Sequence, residues 1–200
     1  MVVDQNFLKV KNFFLLIIFF LLFASKSYSN NYIFTKIIEL DEPWGSSFIN
    51  NNEIIITEKS GKIKIVNVVL KEVLEIKHNL NFLEVGQGGL LDIIHQDGTL
   101  WISYSESREN SKTSTSIAIA QLNKQELNFK NIFQSNPPID SGYHFGSRLE
   151  IKGDYLYAST GERGQGMIAQ DPTKHPGSII RIYTDGSIPK DNPKFEGKKN

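Results

Sequence analysis

Between Asp140 and Gly166 stand the residues whose types and spacing could do chemistry. His144 follows Asp140-Ser141-Gly142-Tyr143, and Glu162 lies within Thr160-Gly161-Glu162-Arg163-Gly164. Two β-patterned runs separate them, Arg148–Ile151 and Tyr155–Ala158, joined by a Gly153-Asp154 turn. A hairpin brings the start of its first strand beside the end of its second, so His144 and Glu162 are expected at one edge. An imidazole with an unperturbed pKa of about 6.5 can accept a proton at neutral pH. A neighbouring carboxylate orients it and stabilises the imidazolium. Such a pair suits removal of a hydroxyl proton. The bland alternatives are a histidine bonded to a loop carbonyl and a Glu162 that salt-bridges Arg163 or Arg148.

A second contribution comes from Gly86-Gln87-Gly88-Gly89. Glycines permit close approach of a ligand to the backbone, so Gln87 is expected to line a pocket rather than merely connect two sheets. Arg148 follows His144 by four residues on an alternating strand and is expected to point the same way. An internal ion pair is its expected role. His78, His95 and His175 are read as ordinary polar residues, His95 as a solvated strand end and His175 as a loop residue. Asp185-Gly186-Ser187 with Asp191-Asn192 does not have the spacing of a calcium-binding EF-hand loop and reads as a turn. No Gly-x-Gly-x-x-Gly follows a strand and opens a helix, so a dinucleotide motif is absent.

The elements that must position these residues are short strands and turns. A first round has Phe48-Ile49, an Asn50–Asn52 turn, Glu53–Glu58, a Ser60-Gly61 turn, Lys62–Val66 and Val73–Ile76. A second has Gly89–Ile94, the Asp97-Gly98 hairpin signal, Leu100–Tyr104, a long polar loop from Ser105 to Thr115, Ser116–Ala120 and Leu127–Phe133. A third has Arg148–Ile151, Tyr155–Ala158 and, after a long loop, Ser178–Ile182, with no clear fourth strand. The rounds begin near Trp44, Gly89 and Phe145, spaced by about 45 to 55 residues. Four strands per round at that spacing predict an all-β chain of about three β-propeller blades. Three blades do not close a ring and would leave sheet edges open. A fragment of a longer propeller is therefore expected, the alternative being a half-ring whose missing blades come from elsewhere.

Of the 200 residues, the first 29 read as a signal peptide. Lys9 and Lys11 precede an unbroken apolar run from Phe13 to Ala24, and Ser27-Tyr28-Ser29 supplies small residues for cleavage. The run is short for a membrane span, so export to the periplasm or outside the cell is expected, with no stable span after cleavage; the alternative, an uncleaved N-terminal anchor, also exports the chain. Residues 30–200 then form one domain. The whole chain is formally neutral, and loss of the leader leaves it weakly acidic, with no basic stripe for nucleic acid. The absence of cysteine excludes disulfides, zinc-thiolate sites, a cysteine nucleophile and lipid attachment at the leader's cleavage site.

Six stretches together resemble the soluble pyrroloquinoline-quinone-dependent sugar dehydrogenases, the glucose/sorbosone dehydrogenase family. They are Pro43-Trp44-Gly45 with Ile56–Lys59 and Gly61–Ile63; Gly86–Asp92; His144–Leu149; Thr160–Gly164; Ala169–Asp171 with His175–Arg181; and Asp185–Pro193. They occur in the family's order and cover about the first half of its six-bladed propeller. The resemblance implies oxidation of an aldose to its lactone by hydride transfer to the quinone. It implies His144 as general base, Glu162 as its support and Gln87 beside cofactor and sugar. It offers Gln165 and Gln170 as further sugar contacts. Calcium and arginines that hold the cofactor's carboxylates are implied mostly beyond this half, and electrons are expected to pass to an exported acceptor. The alternative is a non-catalytic exported propeller that binds a sugar or a protein. A lactonase-type hydrolase would need several axial carboxylates and asparagines, and this half shows too few.

Overall fold

The computed structural model describes residues 32–194, so the expected leader lies outside the described residues. The chain separates into two compact units, residues 1–36 and 37–200. Of the first, residues 32–36 are described and carry no regular secondary structure.

In the second unit, β1 (Pro43–Phe48), β2 (Glu53–Glu58), β3 (Ile63–Asn67) and β4 (Glu72–His78) pair in order as an antiparallel meander. The isoleucines of β2 and β3 suit strands because branched side chains pack well on a pleated surface. The next sheet contains β5 (Leu90–Gln96), β6 (Thr99–Ser107), β7 (Thr113–Gln121) and, after the short β8 (Glu126–Leu127), β9 (Lys130–Gln134). The β5–β6 turn has both Asp97 and Gly98 at positive φ, 49° and 78°, the geometry whose twist matches a two-residue hairpin. The third sheet is β10 (Gly146–Lys152), β11 (Tyr155–Thr160) and β12 (Ile179–Tyr183). It has three strands among the described residues.

Two expectations need correction. The stretch Ser105–Thr115 is not a long loop. β6 and β7 stay paired from Thr99↔Gln121 to Ser107↔Thr113, leaving only residues 108–112 to turn. Its polarity misled because Ser105, Glu106 and Thr113–Ser116 are buried and hydrogen-bonded. Glu106 accepts from Ser116 Oγ (2.7 Å), Asn131 Nδ2 (2.9 Å) and Gln134 Nε2 (2.7 Å). The run Leu127–Phe133 is not one strand either. β8 pairs in parallel with β4, the fourth strand of the first sheet, whereas β9 completes the second. Leu127 buries itself against both of those sheets.

Alternation along β6 explains the stacking. Leu100, Ile102 and Tyr104 face the first sheet, packing with Ile55, Ile63 and Ile65. Trp101 faces the third, with Leu149, Leu156, Ala158 and Ile182. Side chains of period two thus make the middle sheet a two-sided layer. Polar seams accompany both cores. Gly45 N donates to Thr57 Oγ1 (2.9 Å), whose hydroxyl donates to Leu91 O, and Ser103 Oγ donates to Ser147 O (2.7 Å).

Candidate active site

The β10–β11 hairpin runs in register from Lys152↔Tyr155 to Leu149↔Ala158, then shifts before Gly146↔Thr160. Ser147 (φ 89°) and Gly146 (φ 72°) form this irregularity. An extra residue re-aims the chain and delivers His144 beside the segment that leaves β11. His144 Nδ1 hydrogen-bonds Glu162 Oε1. The same oxygen accepts the Gly164 N–H at 3.1 Å. The contact with His144 above all, helped by backbone N–H groups, holds the Glu162 carboxyl below its ordinary range. An ionised carboxylate only accepts, so Nδ1 carries the hydrogen and Nε2 of the neutral ring keeps its lone pair. The His144 side chain is 54% exposed, open to a ligand.

The main chain of His144 is held as firmly as its ring. Its N–H donates to Gln87 Oε1 at 2.8 Å, and the Gln87 N–H donates to Gly142 O at 2.8 Å. Gly86 makes this seam possible, since a Cβ there would lie 2.4 Å from Gly142 O at a φ of +56°. Across the hairpin, a Cβ on Gly161 would lie 1.7 Å from His144 O. His144 (φ 50°), Ser147 and Arg163 (φ 59°) all occupy the left-handed region. Each such non-glycine residue costs about 1–2 kcal/mol and persists where surrounding contacts over-determine it.

The other candidates are placed differently. Arg148 Nη1 pairs with the buried Asp92 Oδ1 at 3.3 Å, an ion pair between sheets whose arginine stays largely exposed, and the bulge breaks the alternation on which a shared orientation with His144 depended. Gln165 donates its backbone N–H to Glu162 O (3.0 Å). Gln170 ends the short 3-10 turn Gly166–Gln170. Both are exposed, and neither side chain hydrogen-bonds His144, Glu162 or Gln87. His175 Nδ1 accepts from Asn136 N (3.0 Å), with its ring 5.2 Å from that of Phe133. His95 is not merely solvated, because its Nε2 accepts the Gly98 N–H (3.1 Å) and caps the hairpin turn. His78 bridges Gly61 O (2.7 Å) and Leu80 N (3.2 Å). Asp185 accepts from Ser187 N and Oγ, the turn expected. Among the described residues no group of three or more His, Asp or Glu side chains converges on a metal site.

Arg163 is the residue that sequence reasoning missed. It does not pair with Glu162. Its buried guanidinium donates to Tyr143 O (2.9 Å), Ser141 O, Thr113 O (3.3 Å) and Thr113 Oγ1 (2.7 Å). Burial lowers its pKa to about 10, so it stays charged at neutral pH. No local signal marks this role, since an arginine after a glutamate between glycines reads as a surface pair.

Comparison with known proteins supplies the family. A family model described as Glucose / Sorbosone dehydrogenase matches residues 40–200. The chain is 32% identical over 171 residues to the Aldose sugar dehydrogenase YliI of Escherichia coli (strain K12), covering 78% of this chain and 44% of that protein. It is 28% identical over 193 residues to the Quinoprotein glucose dehydrogenase B of Acinetobacter calcoaceticus, with 79% and 40% covered. The apo-form crystal structure of the soluble Aldose sugar dehydrogenase from Escherichia coli superposes with a TM-score of 0.74 at 31% identity, over 79% of this chain and 48% of that one. A PQQ-bound Aldose Sugar Dehydrogenase from Streptomyces coelicolor shares the fold, with a TM-score of 0.68 at 24% identity over 80% and 49%. The chain thus spans less than half the length of these curated relatives. With sheets that stack as blades and a family match over nearly all of the described residues, the chain belongs to the glucose/sorbosone dehydrogenase family and holds about three blades of its six-bladed, all-β propeller.

Proposed function

We propose that the protein oxidises an aldose at its anomeric carbon to the lactone, with His144 as general base and pyrroloquinoline quinone as cofactor. One observation carries this beyond membership of a sugar dehydrogenase family: Glu162 accepts at Nδ1 of His144 and leaves Nε2 as a proton acceptor on an exposed edge. Loss of hydride from carbon requires the hydroxyl to give up its proton, and Nε2 takes it while Glu162 stabilises the imidazolium. The quinone, when bound, supplies the two-electron acceptor. Gln87 accepts the His144 N–H through Oε1, which leaves its amide Nε2–H groups to hold a cofactor or sugar oxygen. Gln165 and Gln170 are sugar contacts in this proposal.

In this proposal His144 and Gln87 meet the reacting end of such a cofactor, and three cations of this part of the chain are already engaged. Arg148 is engaged by Asp92, Lys59 by Glu42 (3.0 Å), and Arg163 by backbone carbonyls. The carboxylate grip and the calcium ligands are therefore assigned to the remainder of a longer protein, of which residues 30–200 are the N-terminal half. Residues 1–29 are assigned as an export signal, placing the protein in the periplasm or outside the cell with an exported electron acceptor. Among the described residues no helix is long and apolar enough to cross a membrane.

The test is quinone-dependent dye reduction with a panel of aldoses on the full protein. His144→Ala should lose about 100- to 10,000-fold in kcat. Unchanged turnover in that variant removes His144 as the base. Absence of saturable quinone binding by the full protein would favour a propeller that binds a sugar or protein without catalysis.

A further inference from the structure

The guanidinium of Arg163 is buried, 2% exposed, and no carboxylate among the described residues pairs with it. Its Nε and Nη2 reach the carbonyls of Tyr143 and Ser141, and its Cζ lies 3.6 Å from the centroid of the Phe145 ring. These three residues bracket His144 on both sides. From the far side, both Nη groups tie the same fork to Thr113 of the second sheet. A buried cation is costly unless hydrogen bonds replace its lost water. A planar fork that satisfies several carbonyls at once meets that condition, whereas a compact ammonium cannot reach them all.

The residue before it, Glu162, holds the ring of His144. One dipeptide therefore grips the histidine twice, by carboxylate at Nδ1 and by guanidinium on the flanking main chain. The planar peptide between the two limits how their relative positions can vary. His144 sits in the left-handed region at φ 50°, where an unheld loop would relax.

We propose that Arg163 is a positioning residue for His144. It fixes the main chain of residues 141–145 so that Nδ1 meets Glu162 and Nε2 is left free on the exposed edge. The positional claim concerns this contact alone; its kinetic consequence rests on the proposed dehydrogenase function.

The test is nitrogen-resolved NMR of the His144 ring in the full protein without cofactor or sugar, assigned by the signals lost in His144→Ala. Wild type should hold the Nδ1–H tautomer. Arg163→Met should keep the β-sheet circular dichroism but move the ring toward a tautomer mixture, with Arg163→Lys between them. In quinone-loaded protein, Arg163→Met should lower kcat about tenfold or more with KM for the sugar within about twofold. A folded Arg163→Met with the wild-type tautomer ratio overturns the proposal, even if kcat falls. A shifted ratio in a protein whose wild type oxidises no aldose supports the positioning and instead sinks the dehydrogenase function. Should the methionine variant fail to fold, the lysine variant decides by the same tautomer ratio.

Discussion

Glu162 illustrates how much a single contact sets at this site. Its carboxyl is held below the ordinary value of 4.5 chiefly by the His144 hydrogen bond. A depressed folded-state pKa means the contact contributes fully above pH 4.5 and is lost as pH falls through the lower, folded value. Carbon-13 titration of the Glu162 carboxyl should show its midpoint rise toward the ordinary value in His144→Ala. Glu162→Gln replaces an acceptor by a group that also donates, so the opposite imidazole tautomer becomes accommodated. That variant should lose about 10- to 100-fold in kcat while unfolding at nearly the wild-type temperature. The pair of His144 and Glu162 was legible because a hairpin's two ends meet whatever the rest of the chain does. From the sequence Gln87 was expected only to line a pocket, not to hold the His144 main chain. Its hydrogen bond to the His144 N–H spans 57 residues, and nothing local encodes it.

Strands and turns carry their own predictions. Gly161→Ala would drive a Cβ into His144 O, so the β11 exit must shift. We expect a loss of about 1–3 kcal/mol in denaturant unfolding and, if the proposed function holds, a larger proportional loss of dye reduction, because the displaced atom belongs to His144, the proposed base. On β2, Glu58 is buried. Burial raises its pKa, but Lys64 Nζ at 2.7 Å and the Asp41 N–H outweigh this and the net direction is down. Lys64→Met would leave a buried charge and cost about 2–3 kcal/mol at neutral pH. That deficit should shrink as pH falls and Glu58 protonates, which thermal melts of both proteins from pH 7 to pH 4 will read. At this scale the hairpins were legible from turn chemistry. The Ser105–Thr115 strands were not, because burial between blades, not residue polarity, decides their state.

Among the described residues the blades are joined by polar stitches and two apolar cores. Asp92 of β5 accepts the Leu149 N–H of β10 at 2.9 Å and the Ile93 N–H at 3.1 Å. Asp92→Ala orphans a buried Leu149 N–H and should cost about 1–3 kcal/mol. Arg148→Ala removes only the partner whose side chain is 75% exposed and should change stability by less than about 1 kcal/mol. Equal losses in chemical denaturation would show that the ion pair, not the backbone stitch, joins the blades. Leu156→Ala, emptying the core between the second and third sheets, should cost about 2–5 kcal/mol.

By itself the sequence determined the class of fold, the number of rounds, the turns and the hairpin edge where His144 meets Glu162. All of these follow from alternation and turn chemistry within a few residues. Only the tertiary structure decided that Arg163 turns inward to Thr113, that Arg148 leaves the site for Asp92, and that Gln87 holds the His144 backbone. Each depends on how sheets stack and on a bulge that shifts one strand, and a shift of one residue redirects every side chain beyond it. The edge first visible as a histidine beside a carboxylate is therefore, in the folded chain, an imidazole fixed from ring and backbone at once.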